Sequence, residues 1–330
     1  MMIATSSKQE NSLINRPHLI ILGAGASLAA FPNGESSGRQ LPLMQNFVDV
    51  VGLESILENG GIEYKDLNFE EIYSRIYNLP EHQQVVQQIE NKIWDYFEGM
   101  KIPSTPTLYD HLILSLRSKD VIATFNWDPF LMQSYIRNYH IAKPPHLLYL
   151  HGSVAVGVCI QDKVKGRIRE LCYKCNQRLR ASPLLYPIKK KDYTSSPFIQ
   201  NEWETVKQVL KSAYLVTIFG YSAPESDVEA IQLLKDGWGP TSSRNFEQIE
   251  IIDIKPEGQL FSTWEDFIYG HRCWIVDSFY KSWVACHPRR TCEAMWRWFM
   301  ELDYPEENWI PKDLSLSDLQ KWYHQFIVSE

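Results

Sequence analysis

The sequence predicts an α/β fold: a Rossmann-like doubly wound parallel sheet with a helical insertion and a small Cys-containing module. Three observations predict it. Short apolar runs recur along the chain and read as buried parallel strands. Stretches with helical spacing separate them. A glycine turn follows the first apolar run directly.

The predicted strands are residues 18–22, 121–125, 147–150, 214–219, 249–254 and 273–276. Between them, 42–58, 69–79, 83–97, 108–117, 198–211 and 225–235 carry apolar residues at helical spacing. Residues 32–106 are too many for one crossover and are expected to form a helical insertion. Residues 152–197 hold a Cys cluster, many basic residues and few apolar runs, and read as a small module beside the sheet. These parts are expected to form one domain over 17–260. Residues 261–330 are expected to be a Trp-rich, mainly helical extension packed on it. There Pro288, Arg289 and Arg290 open a helix with Met295, Trp296 and Phe299 at core spacing.

Composition fits this plan. The chain has 330 residues, of which 44% are hydrophobic, enough for a substantial core. Its formal net charge of −7 argues against broad electrostatic binding to nucleic acid. No apolar run approaches the roughly 18 residues of a membrane span. Residues 1–16 are polar and lack the apolar core of a signal peptide, so a cytoplasmic protein is expected. The six cysteines then read as thiols and not as a disulfide framework.

The candidate site lies where the strands end. In an open α/β sheet, ligands bind outside the carboxyl ends of the strands. Gly23-Ala24-Gly25-Ala26-Ser27 ends the first strand, and glycines there let backbone N–H groups approach a phosphate at a helix start. The following Pro32-Asn33-Gly34 stretch is a loop able to cover a nucleotide. Thr124-Phe125-Asn126-Trp127-Asp128 ends the second strand. Asn126 and Asp128 are aimed at a ligand, and Asp128 before Pro129 also suits a helix cap. His151 follows the third strand, placed as a general base. Gly220-Tyr221-Ser222 ends the fourth, with Asp227 able to cap the next helix. Asp253 ends the fifth, like an acid that binds a ribose hydroxyl.

In their order these pieces resemble the sirtuins, over about residues 18–255. The stretch 182–187, Lys189 to Tyr193, Trp203 and 220–227 looks more like bacterial sirtuin-like proteins of anti-phage systems than like protein deacylases. The resemblance implies nicotinamide adenine dinucleotide (NAD) as substrate. Gly23, Ala24, Gly25 and Ser27 would cradle its diphosphate, and Asn126 would face the nicotinamide ribose and a water. Asp128 would hold the carboxamide. His151 would be a base or a ribose-hydroxyl partner. Gly220, Ser222 and Asp253 would hold the adenosine half. Deacylases usually carry Gln where Phe125 stands, and a Pro-Asp-Phe-Arg loop where Phe31-Pro32-Asn33-Gly34 stands. Their Phe-Gly-Glu peptide strand is not evident near 184–191.

Sirtuins often hold structural zinc with two Cys-x-x-Cys pairs. Here Cys172 and Cys175 make one pair, and Cys159 with Asp162 makes the other half, a candidate zinc set at knuckle-like spacing. A metal-free hairpin with incidental thiols is the alternative.

Three functions follow: an NAD hydrolase serving antiviral defence, an NAD-dependent protein deacylase, or a module that senses NAD or ADP-ribose without turnover. The first is expected. It leaves open a defence-system partner protein and a homo-oligomer.

Overall fold

The computed structural model describes residues 15–188, 191–194, 196–223, 227–244, 246–269 and 272–328. Six parallel strands form the main sheet: β1 (His18–Leu22), β2 (Val121–Thr124), β3 (His146–Tyr149), β7 (Leu215–Phe219), β8 (Gln248–Ile252) and β9 (Cys273–Val276). Their spatial order is β3-β2-β1-β7-β8-β9. The chain therefore steps outward from β1 on one side, returns, and steps outward on the other. The switch point of this doubly wound sheet lies between β1 and β7.

Helices flank the strands. In chain order they are α1 (Ala24–Ala30), α2 (Phe47–Val51), α3 (Glu54–Asn59), α4 (Phe69–Ile76), α5 (Gln83–Glu98), α6 (Leu108–Ser115), α7 (Phe130–Asn138), α8 (Pro197–Ser212), α9 (Val228–Trp238), α10 (Glu257–Trp264), α11 (Trp283–Cys286), α12 (Thr291–Trp296) and α13 (Leu316–Ile327). A second sheet holds β4 (Val156–Cys159), β5 (Val164–Arg167) and β6 (Arg180–Ala181), antiparallel in the order β5-β4-β6. No helix among the described residues is long and apolar enough to cross a membrane.

Alternate residues of each strand enter opposite cores, as the pleat requires. Ile20, Leu22, Ile122 and Phe219 join one cluster with α2 to α6, while Leu19, Ile21, Ala123 and Ile218 join another with α8 and α9. Both faces of the central strands β1, β2 and β7 are covered, which explains why they read as apolar runs. The register aligns the strand ends: Leu22 pairs with Thr124 and with Phe219, Thr124 with Tyr149, and Phe219 with Ile252. The residues that follow these ends therefore lie along one edge.

Some expectations need correction. The single helix expected at 42–58 is two, α2 and α3, because Gly52 at φ +76° takes the left-handed conformation that ends a helix. The expected start of the 225–235 helix lies outside the described residues, and α9 begins at Val228. Met295 and Trp296 are buried in α12, but Phe299 is 37% exposed and lies under the Arg272 guanidinium. The chain passes into a π-helical turn at 297–301, which rotates Phe299 off the apolar stripe.

A polar cluster is buried between the main sheet and the C-terminal segment. His18 Nε2 meets Thr217 Oγ1 at 2.8 Å, and its Nδ1 meets Thr291 Oγ1 at 3.1 Å. Thr217 donates to Glu250 Oε2 at 2.8 Å, and the Trp283 N–H donates to Glu250 Oε1 at 2.6 Å. Burial pushes the Glu250 carboxyl up to about 7 and the His18 imidazole down to about 3.

Candidate functional site

The two glycine turns at the switch point pack backbone against backbone. Gly23 N–H donates to the Phe219 carbonyl at 3.0 Å, and Gly25 N–H to the Gly220 carbonyl at 2.9 Å. A Cβ on Gly25 would lie 2.8 Å from Gly220 Cα, and one on Gly220 would lie 2.3 Å from the Ala26 nitrogen. Gly220 also has φ +61°, a conformation that favours glycine. Ala26 N–H returns to the Gly23 carbonyl at 3.0 Å. The N–H groups of Gly23, Gly25 and Ala26 are thus committed inside the fold. These glycines matter here first for their close approach.

A hydrogen-bonded group forms beside the turn. Ser27 Oγ donates to Asp128 Oδ2 at 2.6 Å and lies 2.6 Å from the Tyr109 hydroxyl. Asn126 Nδ2 donates to the Gly23 carbonyl and to Ser27 Oγ, both at 2.9 Å. Since the Ser27 proton goes to Asp128, Tyr109 is the donor to Ser27. Burial raises the Asp128 carboxyl to about 6, against the opposing pull of the Ser27 hydrogen bond. Asp128 Oδ1 accepts the Phe130 N–H at 3.2 Å, but α7 begins at Phe130 with Pro129 in the cap position, so Asp128, expected as the cap, stands one residue ahead of it. Asn126 Oδ1 has no partner among the described residues. It is the acceptor this group leaves open.

His151 lies on the far side of Phe125, which meets its ring edge-on at 4.8 Å and stacks on Tyr221 at 4.1 Å. His151 Nε2 is 3.2 Å from the Tyr193 hydroxyl. Burial lowers the imidazole to about 4, with Asp227 opposing and Lys191 assisting. The ring is neutral at physiological pH. Nδ1 has no partner among the described residues.

Asp227 stands at the head of α9, but its carboxylate makes no capping hydrogen bond. It is drawn instead to Lys191 in a buried ion pair and accepts the Tyr221 hydroxyl at 3.0 Å. The expected cap is therefore corrected: a buried ammonium outcompetes the helix N–H groups for the same oxygens. Pro224, Glu225 and Ser226, and likewise Lys189 and Lys190, lie outside the described residues. Ser222 is exposed, and Asp253 is half-buried beyond β8, where Oδ1 accepts the Lys255 N–H at 3.0 Å. The loop at 32–40 is tied down through Glu35, which accepts from Ser36, Ser37, Arg39 and the Lys101 N–H.

The second sheet gathers the cysteine set. Cys159 ends β4, Asp162 lies in the β4–β5 hairpin, and Cys172 and Cys175 lie before β6. Their ligand atoms all lie within 4.8 Å of one another. Cys159 and Cys175 sulfurs are 3.6 Å apart, and Asp162 Oδ2 is 3.4 Å from Cys159 and 3.3 Å from Cys172. Tetrahedral zinc at about 2.3 Å from each sulfur sets sulfurs about 3.8 Å apart, so the residues fit the ion.

Sequence reasoning missed Tyr109, Lys191 and Tyr193 as members of this neighbourhood. Tyr109 sits in a helix buried on all sides and carries no local signal. Lys191 and Tyr193 lay in a stretch noted only for its resemblance.

No family model matches the chain, and no curated protein sequence matches it. Solved structures similar to it include a Sir2 homologue complexed with NAD, at 12% identity over 97% of this chain and 94% of that one, TM-score 0.40. Another is a Sir2 homologue mutant with ADP-ribose, at 12% identity over 98% of each chain, TM-score 0.38. A third is Sir2 bound to an acetylated peptide, at 14% identity over 89% of this chain and 97% of that one, TM-score 0.34. These likenesses are distant, and the functional reading stands on the residues of the site.

Proposed function

We propose that the chain is a sirtuin-like NAD hydrolase that cleaves the nicotinamide–ribose bond, serving bacterial antiviral defence. The observation that carries this reading is the pair of uncommitted polar atoms, Asn126 Oδ1 and His151 Nδ1. Both follow strand ends on the edge that holds the β1–β7 switch point.

The diphosphate and adenosine would run along the edge past Gly23, Ala24, Gly25, Ser27, Gly220, Ser222 and Asp253. Asp128 would meet the carboxamide. In the reaction the C1′–N bond breaks, and nicotinamide leaves with its electron pair. Water oxygen bonds to C1′ and gives up one proton. Positive charge builds on the ribose in the transition state. Asn126 Oδ1 is a fixed dipole placed to stabilise that charge and to orient water, and it needs no reorganisation as the bond breaks. Nicotinamide departs as a neutral ring, so no strong acid is required. His151 would take the proton or hold a ribose hydroxyl.

Phe125 supports hydrolysis over deacylation. Packed between His151 and Tyr221, it puts an apolar ring where deacylases carry Gln. Cys159, Asp162, Cys172 and Cys175 would hold zinc in a structural role, distinct from the strand-end residues proposed for catalysis. Cys172→Ser should then lose the metal and thermal stability together, read by elemental analysis and melting. The function is tested by mass spectrometry of purified protein incubated with NAD, with and without an acetylated peptide. Nicotinamide and ADP-ribose are expected in both. An O-acetylated ribose product that forms only with peptide would establish the deacylase instead.

A further inference from the structure

Beside His151 lie four buried titratable side chains with no part in the reaction as written: Lys191, Tyr193, Tyr221 and Asp227. Lys191 and Asp227 pair with only 4% and 7% of their side chains exposed. That pair ties the segment before α8 to the loop between β7 and α9. Tyr193 is carried by the same segment, two residues beyond Lys191. Trp203 wedges against its ring at 4.9 Å, and the Trp203 indole N–H is fixed on the Leu150 carbonyl at 3.0 Å. The Tyr193 and His151 rings lie 5.9 Å apart and 27° from parallel. The phenol is thus held against His151 from two sides.

The hydrogen-bond inventory then decides a protonation state. A buried phenol O–H must donate somewhere, because an unmet donor bears the full cost of desolvation. Burial, with Asp227 assisting, holds the Tyr193 hydroxyl well above its ordinary value, so it keeps its proton. Among the described residues the acceptor within reach is His151 Nε2 at 3.2 Å. A neutral imidazole carries one proton, and a nitrogen that accepts cannot bear it.

We propose that Tyr193 is a positioning residue that holds His151 in the Nδ1–H tautomer, so that the nitrogen left for substrate donates to a ribose hydroxyl oxygen and does not accept its proton. This rests on the NAD-hydrolase reading for the identity of the substrate, and it assigns His151 to holding the ribose. Among the described residues, the charged and titratable groups facing the ring are Asp227, Lys191 and Tyr193. Phe125 closes its other side without a charge. Asp227 draws the imidazole toward protonation, Lys191 opposes it, and burial outweighs both, so the ring stays neutral down to about pH 4.

The test is a long-range proton–nitrogen spectrum of the ¹⁵N-labelled chain. The signal of His151 among the nine histidines is assigned by its loss in His151→Gln. Wild type is expected to show a protonated Nδ1 and a bare Nε2. Tyr193→Phe keeps the ring packing and should release the tautomer toward Nε2–H. KM for NAD should then rise about 2–10-fold, the worth of one hydrogen bond, with kcat little changed. Tyr193 acting only in packing would leave the tautomer and KM as they are. An Nε2–H tautomer in wild type, or an unchanged spectrum in Tyr193→Phe, overturns the proposal. The wild-type spectrum decides it even if the variant fails to fold. If the tautomer behaves as expected but no nicotinamide is ever released, the hydrolase reading falls and the positioning role stands.

Discussion

His18 and His151 are both buried, both neutral, and both attached to the same sheet, yet their surroundings differ in one respect. His18 has a partner on each ring nitrogen, Thr217 and Thr291. His151 has one, Tyr193, and its other nitrogen is uncommitted. The carboxylates differ as well. Glu250 joins a closed network that fastens the C-terminal segment to the sheet, while Asp128 organises Ser27 beside an Asn126 whose oxygen is open. Burial and a shifted pKa are common to both regions. Only the count of satisfied atoms separates a group that holds the fold from one that is ready for a ligand.

The largest expected effect sharpens the open side of this comparison. Gly220→Val places a branched side chain at φ +61° and into the Gly25–Ala26 backbone. NAD binding by calorimetry should be lost, and the melting temperature should fall. Wild-type affinity in this variant would remove the two glycine turns from the site.

Asn126→Ala comes next. Its amide is the fixed dipole of the site, and removal of such a group typically costs about 10²–10³ in kcat. Binding of NAD should survive: the variant loses the bond to the Gly23 carbonyl, but the backbone bonds that join the two glycine turns remain. A kcat within twofold of wild type would show that the open oxygen does no chemistry.

The comparison breaks most cleanly on the histidines themselves. His18→Ala strands the Thr291 hydroxyl, while Thr217 keeps its bond to Glu250, and an unmet buried partner costs about 1–3 kcal/mol of stability. Turnover per folded molecule should not change. His151→Ala also strands one buried donor, the Tyr193 hydroxyl, so its loss of stability should be comparable, but NAD turnover per folded molecule should fall. If turnover falls in His18→Ala and not in His151→Ala, the satisfied-atom criterion fails.

The smallest effect concerns pH. Glu250 has a folded pKa near 7 against an ordinary 4.5, so its protonated form favours the fold. That contribution is fully present below pH 4.5 and is lost as pH rises through 7. Glu250→Gln lacks it, so the stability gap between wild type and variant should change steadily between pH 4.5 and 7 and level off above. His18, lowered to about 3, works in the other sense: its contribution is present above 6.5 and is lost as pH falls toward 3. Melting curves across pH 4 to 8 would separate the two. A constant gap would show that Glu250 is not buried as described.

Much of this architecture is legible in the sequence. Strands covered on both faces read as apolar runs, and β1, β2 and β7 stand out for that reason; β9, at the sheet edge, is apolar in sequence but only half-buried. Their ends are legible too, because Gly23, Asn126, His151 and Gly220 follow them at once. Short elements are less so. β5 and β6 are largely exposed and carry Lys and Arg, and β4 is only four residues long with a glycine inside it, so none has the pattern of a long buried strand. The supporting shell is hidden for another reason. Tyr109 and Tyr193 meet Ser27 and His151 across 82 and 42 residues of chain, and no local periodicity encodes such a meeting. The commitment of the Gly23 and Gly25 N–H groups to β7 and its turn is likewise a property of strand order, which the sequence does not display.

The central claim is that this strand-end crevice cleaves NAD with water. Its most direct test is the initial rate of nicotinamide release from NAD with no peptide present, measured side by side for wild type and Asn126→Ala. The account predicts steady release by wild type, matched by ADP-ribose, and nearly none by the variant. Equal release by both proteins would contradict it.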